Sequence, residues 1–400
     1  MKLLIPKKLR GREKKSQLIA KYDRIFPKIS KKVILVVKKN TEYSGNLRIC
    51  ADLFLRKGKH KLYVYKDDTM PKSIEKALTL QGVTVLKPNL WLTFYHILTA
   101  GVFVFSHVPR DAHLSLKNKK RKVLGLWHGV AFKNIESQMI SVSDSKMELI
   151  KNNAKLYDLM IASSEADKKY IAKSFLVDES IIDITGLPRY ELLKSSYQVD
   201  EFLQLQKNKL DGIKLNKKFI LYAPTFREKN ESAFDQICDE EWIRLNQFLE
   251  NSDVILGLRP HSYDNKKPPT ITEKMSHIVW LSQEEFTESN LILQFVSFLV
   301  VDFSSIWIDY LLLDRPILGF AKDFEHYCNN ERGFAYDFEE TFPDNFAHNF
   351  DDFITNLMKL IKSDINEKSY KFAKEKFHKH SLKTSFSDNL ASSLKKLEVI

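Results

Sequence analysis

The sequence is poor in cysteine, glycine and proline. It has 400 residues, of which 3 are Cys, 12 are Gly and 12 are Pro. Three distant cysteines argue against a disulfide framework or a CxxC metal site, and they are typical of a reducing compartment. The scarcity of Gly and Pro excludes a fibrous or linker-rich chain. We therefore expect a globular cytoplasmic protein with more than one domain, because 400 residues exceed the usual size of a single core.

Long apolar runs are also missing. No stretch approaches the length of a transmembrane helix, and the first six residues are too short for the apolar region of a signal peptide. If the protein works at a membrane, we expect it at the cytoplasmic face as a peripheral protein.

Several well-known catalytic motifs are absent. There is no Walker A sequence, no GxGxxG fingerprint, no HExxH and no GxSxG. Asp302 and Asp309 are not spaced as a metal-binding DxD. We therefore expect no metal and no required cofactor, since arginine, histidine and helix N-termini can balance a diphosphate charge.

What the sequence does have is positive charge, placed unevenly. The formal net charge is +12, and the first 40 residues carry fourteen Lys or Arg against Glu13 and Asp23. The stretch from Lys117 to Lys122 holds five cations in six residues. This density indicates a polyanionic partner, which could be anionic lipid, a phosphorylated substrate or nucleic acid. No aromatic-interleaved RNA-binding sequence is present, so we do not expect nucleic acid.

Apolar strand-like runs alternate with helical segments along the chain, which predicts an α/β protein with two doubly wound parallel sheets. We predict a basic arm over residues 1–30, an N-terminal domain over 31–205, a C-terminal domain over 206–372 and a helical segment over 373–400. The arm is either an amphipathic helix for a membrane surface or a helix docked on the first domain. Two such domains bind ligands in the cleft between them, at the carboxyl ends of the strands.

Four polar clusters follow predicted buried strands, where such a site is expected. The clusters are Trp127-His128-Gly129, Pro224-Thr225-Phe226-Arg227, Arg259-Pro260-His261 and Asp302-Phe303-Ser304-Ser305. His128 suits a general base near neutral pH, and Gly129 allows close backbone approach. Alone, each cluster has a structural alternative, but four together describe one cleft rich in phosphate donors.

The other clusters supply groups that bind phosphate. Thr225 and Arg227 suit a phosphate or a ribose, and the Arg259 guanidinium is a forked donor for phosphate oxygens. Ser304 and Ser305 stand where a helix should begin, so they either cap that helix or hold an anion at its N-terminus.

These motifs resemble those of a known family. The matching segments are Leu126–Gly129, Thr185–Arg189, Ile220–Arg227, Leu258–His261 and Val301–Ser305 with Asp309. They resemble the CDP-glycerol glycerophosphotransferase family, the primases and polymerases of wall teichoic acids and teichoic-acid-like capsules. The resemblance implies a GT-B-like architecture, in which two Rossmann-like domains face each other and the C-terminal domain holds the nucleotide.

The resemblance also implies roles for the site residues. His128 would deprotonate the acceptor hydroxyl, and His261 with Arg259 and Pro260 would hold the diphosphate. Ser304 and Ser305 would bind a phosphate and Asp309 the glycerol or ribose hydroxyls. The residues implied to complete the donor pocket are Arg189, Pro224, Thr225 and Arg227. The family's first motif commonly continues with Thr-Pro, whereas here Val130-Ala131-Phe132 leads to Lys133, which keeps a cation close by.

The predicted reaction is transfer of glycerol phosphate from CDP-glycerol to an acceptor hydroxyl, with release of CMP. The implied acceptor is a saccharide linked to polyprenyl diphosphate or a polyol-phosphate polymer, at an anionic membrane surface. Three alternatives remain open at this point: a ribitol-phosphate transferase using CDP-ribitol, a hexose transferase on the same fold, and a basic nucleic-acid-binding protein.

Overall fold

The computed structural model describes residues 4–38, 43–57, 59–66, 70, 72–227, 232–261, 264, 267–330, 333–362 and 366–400. These residues form two compact units. Unit 1 takes Met1–His128, Glu136–Glu191 and Lys383–Ile400, and unit 2 takes Gly129–Ile135 and Leu192–Leu382. Each unit is built around its own parallel sheet.

The sheet of unit 1 has seven strands in the order β3-β2-β1-β4-β5-β6-β7. The strands are β1 (Ile29–Val37), β2 (Lys61–Lys66), β3 (Thr84–Leu86), β4 (Ala100–Phe105), β5 (Lys122–Gly125), β6 (Leu159–Ala162) and β7 (Ile182–Ile184). Every pairing is parallel. All six residues of β4 are buried, as a parallel strand covered on both faces requires. The sequence predicts these strands from its apolar runs, and the prediction is confirmed with ends shifted by up to four residues. The runs are 33–37, 62–65, 83–86, 102–105, 123–127, 159–163 and 181–185.

Six helices precede or connect these strands. They are α1 (Arg12–Tyr22), α2 (Gly45–Lys57), α3 (Lys72–Leu80), α4 (Trp91–Thr99), α5 (Asp144–Ala154) and α6 (Glu165–Phe175). Sequence analysis did not predict α5, although Ser143 marks its start by accepting a hydrogen bond from the Lys146 amide.

The basic arm contains α1, and this helix is docked on unit 1. Ile19 is buried, and the Tyr22 ring meets the Phe94 ring edge-on with centroids 6.5 Å apart. The Arg12 guanidinium pairs with Asp111 at 2.6 Å. Helix α1 is therefore packed on unit 1 through Ile19, Tyr22 and Arg12.

The cation cluster from Lys117 to Lys122 is partly used inside the fold. The buried Arg121 guanidinium pairs with Asp23 at 2.7 Å, and Lys117 pairs with Asp158 at 2.7 Å. Arg121 is therefore used inside unit 1, and Lys117 is engaged by Asp158.

The sheet of unit 2 has six strands in the order β10-β9-β8-β11-β12-β13. They are β8 (Lys218–Tyr222), β9 (Val254–Leu258), β10 (Ile278–Trp280), β11 (Phe298–Val301), β12 (Ile317–Phe320) and β13 (Phe346–Ala347). All pairings are again parallel. The apolar runs at 219–223, 254–258, 278–281, 295–301 and 316–320 predict all of these strands except β13, whose two residues carry too short a pattern to detect.

Eight α-helices lie in the described part of unit 2. They are α7 (Glu201–Lys214), α8 (Asp239–Asn251), α9 (Ser289–Leu293), α10 (Ile306–Tyr310), α11 (Phe324–Asn330), α12 (Phe338–Thr341), α13 (Phe350–Leu360) and α14 (Glu367–Phe377). The apolar faces of α8 and α13 pack on the sheet around Trp242, Leu245, Phe353 and Leu357. The packing is so close that a Cβ added at Gly319 would lie 2.1 Å from the Phe346 ring.

The last helix, α15 (Phe386–Lys396), belongs to unit 1. Its Phe386 ring covers Gly186, where a Cβ would lie only 2.5 Å from the ring. Gly186 has φ +69°, so glycine is required there by both backbone and space. The Asn389 amide donates to the Thr185 carbonyl at 3.0 Å. The segment from Thr185 to Arg189 thus holds the last helix against the rest of unit 1.

Within the described part of the chain, no helix is both long and apolar enough to cross a bilayer.

Candidate functional site

The polar clusters of unit 2 lie at one edge of its sheet. β9, β8, β11 and β12 are adjacent and parallel, so the loops that follow them emerge side by side. Direct contacts join these loops, because Thr225 and Arg227 from the β8 loop both donate to Asp302 from the β11 loop. The predicted clusters at 225, 259 and 302 are therefore brought together.

Asp302 is the centre of this edge. Its carboxylate is fully buried. It accepts hydrogen bonds from the Thr225 amide at 2.8 and 2.9 Å, from the Ser304 amide at 3.1 Å and from the Arg227 guanidinium at 2.7 Å. These bonds tie the loop after β8 to the loop after β11. Asp302 thus sets the positions of Thr225 and Ser304.

Arg227 is a buried residue that links the loops of this edge. Its guanidinium contacts Asp302 and also forms a two-bond fork with Asp323, at 2.7 and 3.0 Å. Burial alone lowers the pKa of Arg227, but the two carboxylates more than offset this effect and the pKa is raised. Its guanidinium also lies 5.3 Å from the Phe303 ring and 5.4 Å from the Tyr327 ring. Arg227 therefore holds the loops, and its donors are largely occupied.

Lys133 lies beside this group. Its ammonium donates to the Thr225 hydroxyl at 3.4 Å and lies 5.9 Å from the Tyr327 ring. The backbone at Lys133 pairs with Phe334 in an isolated antiparallel bridge. Lys133 is half-buried, so this edge of the sheet carries a cation next to Thr225, a residue predicted to bind the donor substrate.

Arg259 is also turned into the protein. Its guanidinium donates to the carbonyls of Leu281 and Ser282 at 2.9 and 2.7 Å, and to the Gln283 side chain at 2.7 Å. Burial lowers its pKa, which Glu288 partly offsets. Gln283 in turn donates to the carbonyl of the buried Pro260 at 2.9 Å. Arg259 therefore fixes the loop after β10.

His261 is the more accessible member of its cluster. It is half-buried, and its ring centroid lies 6.3 Å from that of Phe226 on the neighbouring loop. Pro224 is buried at the start of that loop. Of the two predicted diphosphate ligands in this cluster, His261 and not Arg259 therefore lies nearer the surface.

Of the two roles open to Ser304 and Ser305, the structure does not show the capping role. α10 begins at Ile306, and the Ser305 hydroxyl makes no capping bond because its backbone, at ψ 0°, is far from the extended geometry of a capping residue. Ser304 and Ser305 are half-exposed, whereas Asp309 is buried and accepts a hydrogen bond from Asn290 at 2.9 Å. The two serines, more than Asp309, are placed to meet a ligand.

In unit 1, the loop after β5 carries His128. Trp127 has φ +51° and Gly129 has φ +151°, so the chain turns sharply on both sides of this exposed histidine. A left-handed tryptophan is strained and needs support. The buried Asn46 side chain gives it by donating to the carbonyls of Leu126 and Trp127, each at 3.1 Å.

Arg189 supports the same loop from the other side. Its guanidinium donates to the His128 carbonyl, and its own amide donates to Asn46 at 3.1 Å. The predicted residues His128 and Arg189 are thus in contact, through the backbone of His128. The structure places both next to Asn46, which sequence analysis did not identify.

His107 was also missed. It follows β4 as His128 follows β5, and its ring stacks on that of His128 with centroids 4.4 Å apart and planes at 20°. The rule that site residues follow strands would have found His107. Nothing in the sequence could have indicated Asn46, because its partners lie 80, 81 and 143 residues further along the chain.

Among the residues that the structure describes, no group of three or more His, Cys, Asp or Glu side chains is placed to hold a metal ion.

The two parallel-sheet units with polar strand ends have a GT-B-like fold, and solved structures support this. The wall teichoic acid polymerase TagF matches with a TM-score of 0.73 at 17% identity, over 98% of this chain and 96% of that chain. UDP-GlcNAc 2-epimerase from Neisseria meningitidis matches with a TM-score of 0.55 at 13% identity, over 91% of this chain and 100% of that one. The predicted fold class is confirmed.

The sequence matches the CDP-glycerol:poly(glycerophosphate) glycerophosphotransferase family over residues 18–389, so the chain belongs to this family of transferases. It is 30% identical to a teichoic acid poly(glycerol phosphate) polymerase of Bacillus spizizenii over 54% of this chain and 56% of that protein. It is 25% identical to a teichoic acid ribitol-phosphate primase of the same organism over 73% of each. The predicted family and enzyme class are confirmed, and the chain spans about half the length of the polymerase.

Proposed function

We propose that this protein transfers glycerol phosphate from CDP-glycerol to a hydroxyl of a lipid-linked or polymeric acceptor, releasing CMP. The observation that carries the proposal is the family match over residues 18–389. One of the similar solved structures is a histidine variant of TagF soaked with CDPG, at a TM-score of 0.72 and 17% identity. Polar side chains at the strand ends of unit 2 give a CDP-polyol a place to bind.

In the proposed step, the acceptor oxygen forms a bond to the β-phosphorus of the donor. The bond from that phosphorus to the oxygen bridging the two phosphates breaks, and CMP leaves with that oxygen. The acceptor proton passes to a base. The negative charge that develops on the leaving phosphate needs hydrogen-bond donors and cations rather than an acid.

His128 is the proposed base. Its side chain is exposed, while its backbone is held by Arg189 and by Asn46 through the two preceding carbonyls. An imidazole can take a proton near neutral pH. A fixed main chain with an accessible ring suits a group that must meet a separate acceptor hydroxyl.

Unit 2 supplies the proposed donor-binding groups. The half-exposed ones are Lys133, His261, Ser304 and Ser305, to which the Thr225 hydroxyl adds an oxygen beside Lys133. We assign the buried Arg227, Arg259 and Asp309 to holding these loops. This division follows from their internal bonds, because a guanidinium already paired with two carboxylates has little capacity left for phosphate.

The polyol is the open part of this proposal. The similarity to a ribitol-phosphate primase over 73% of both chains favours CDP-ribitol as a second candidate donor. Glycerol and ribitol differ in length and hydroxyl count, so competition between the two CDP-polyols in one reaction separates them.

An anionic membrane surface is the proposed location of the acceptor. Around the contact of α1 and α4, Ile25 is 71% exposed and Leu92 is 63% exposed. The cations Lys21 and Arg24 of the basic arm lie close to Ile25 in sequence. The double substitution Ile25→Asp with Leu92→Asp should release the protein from phosphatidylglycerol vesicles, whereas Leu80→Asp, at a residue of α3 that is 75% exposed, should not. Equal sedimentation of both variants would contradict this assignment.

The direct test of the reaction is CMP release. Purified protein is incubated with CDP-glycerol or CDP-ribitol and a synthetic lipid-linked disaccharide, and products are identified by mass spectrometry. We expect CMP and an acceptor heavier by one polyol phosphate, with His128→Ala inactive but still binding CDP. Absence of CMP with either donor would refute the proposed function. Loss of CDP binding in His128→Ala would instead assign the histidine a structural role.

A further inference from the structure

His107 lies directly against the proposed base. Its ring is stacked on the His128 ring, with centroids 4.4 Å apart and an interplanar angle of 20°. Trp127 meets His107 at a centroid distance of 5.4 Å and His128 at 4.1 Å. The Phe175 ring packs edge-on against Trp127 at 5.0 Å. The exposed ring of His128 therefore rests on a buried aromatic group.

His107 is itself fixed in position. It is buried, and its Nδ1 lies 3.1 Å from the Ser106 hydroxyl. That hydroxyl donates its single proton to the Val36 carbonyl at 3.2 Å, since a carbonyl can only accept. The Ser106 hydroxyl therefore ties the His107 ring to the end of β1. Tyr157 adds a hydrogen bond from its hydroxyl to the His107 carbonyl at 3.2 Å.

The charge state of His107 follows from its surroundings. Burial lowers the pKa of His107 well below the ordinary value, and the neighbouring His128 and Lys38 lower it further. The ring therefore stays neutral at physiological pH. A neutral ring can stack on His128 both before and after His128 takes a proton, because no repulsion between two cations arises and the ring face attracts a cation.

We propose that His107 is a positioning residue that holds the imidazole of His128 in one orientation by stacking. This inference rests on the proposed function, in which His128 is the base. The backbone of His128 is held by Arg189 and Asn46, and the stack on the buried His107 restrains the exposed ring itself. This restraint matters because a small displacement of a catalytic group can lower a rate about a hundredfold.

The test compares substitutions that keep or remove the flat ring. His107→Phe keeps a ring without nitrogens, and His107→Leu removes the plane. We expect His107→Leu to lower kcat for CMP release by roughly 30- to 100-fold with little change in the KM for CDP-glycerol, and His107→Phe to recover most of it. His113→Gln is the matched control, since His113 is also buried in unit 1 but its ring pairs with Tyr65.

A second measurement does not depend on activity. In protein labelled with [¹³Cε1]histidine, the His128 signal is identified by its loss in His128→Gln. Stacking predicts an upfield ring-current shift of this signal that persists in His107→Phe and disappears in His107→Leu. Melting curves of both variants verify folding.

The two measurements separate the two claims. If the wild-type protein releases no CMP, the proposed function fails, and the His128 signal alone decides whether the stack exists. If the wild type is active but His107→Leu keeps its kcat, or if kcat and KM change together, the positioning role is overturned. An unchanged His128 signal in His107→Leu overturns it as well.

Discussion

Replacing Asp302 by asparagine is a sharp test of how the strand ends of unit 2 are held. The side chain keeps its shape but exchanges one oxygen for an NH₂ group. In the native site both oxygens face donors: Oδ1 accepts from the amides of Thr225 and Ser304, and Oδ2 from the Thr225 amide and Arg227. Whichever way the asparagine amide is turned, its NH₂ group faces N–H groups that donate to Asp302 in the native site.

The magnitude follows from burial. Asp302 is fully buried and Arg227 is 4% exposed, so the substitution leaves a buried cation with only part of its countercharge. Breaking a buried ion pair costs about 3–5 kcal/mol. Because Asp323 still pairs with Arg227, we expect the lower part of that range, about 3 kcal/mol.

Two further substitutions provide a graded comparison. In Asp323→Asn, a side chain that is 23% exposed loses its charge, so we expect about 1–2 kcal/mol. Asp351→Asn is the matched control, because the pair of Asp351 with Arg244 is exposed on both sides, at 79% and 55%, and such pairs contribute at most about 1 kcal/mol.

Amide hydrogen exchange measures these effects within unit 2 alone. Peptides covering β8 and β11 report the free energy of opening this sheet, and 3 kcal/mol corresponds to roughly a hundredfold loss of protection. Peptides of unit 1 serve as an internal reference. If Asp302→Asn exchanges no faster than Asp351→Asn, the carboxylate does not hold the edge and the reasoning is wrong.

Three further predictions concern Asp167, Asn46 and the glycines at 319 and 212. Burial raises the pKa of Asp167 to about 7, so its contribution lowers the stability of unit 1 as the pH rises from about 4 to 7, and Asp167→Asn should melt higher than wild type at pH 8 but not at pH 4. Asn46→Ala should free the loop after β5, lowering kcat for CMP release and speeding exchange of that loop while β1 stays protected. Gly319→Ala should destabilise unit 2 by about 1–3 kcal/mol because the Phe346 ring must move, whereas Gly212→Ala, within α7 and in open space, should stabilise it by about 0.5–1 kcal/mol in urea unfolding.

The sheet of each unit could be predicted because its strands are buried on both faces. Runs such as Val254–Leu258 are continuous and apolar, and all five of their residues are buried. The helices α8 and α13 were not predicted, although both have recognisable starts. Asn349 accepts a hydrogen bond from the Asp352 amide, and three acidic residues open α8. These capping signals in the sequence mark where the two helices begin.

The location of the site was easier to predict than the role of each residue in it. Parallel strands end at one edge, so the clusters at 225, 259 and 302 had to meet. The sequence could not show that Arg227 donates its hydrogen bonds to Asp302 and Asp323, which lie 75 and 96 residues further along the chain. An arginine that binds phosphate and one that braces a loop have the same local pattern.

This distinction decides how loss-of-function variants should be interpreted. Arg227→Ala would leave two carboxylates without their cation, so its activity would fall through disorder of the loops even if Arg227 never touches the donor. Lys133→Ala removes a half-buried cation whose contacts include the Thr225 hydroxyl at 3.4 Å, and should weaken CDP binding with little loss of stability. Measuring CDP affinity and hydrogen exchange on both variants therefore separates the residues that bind the donor from those that hold its site, which loss of activity alone would not do.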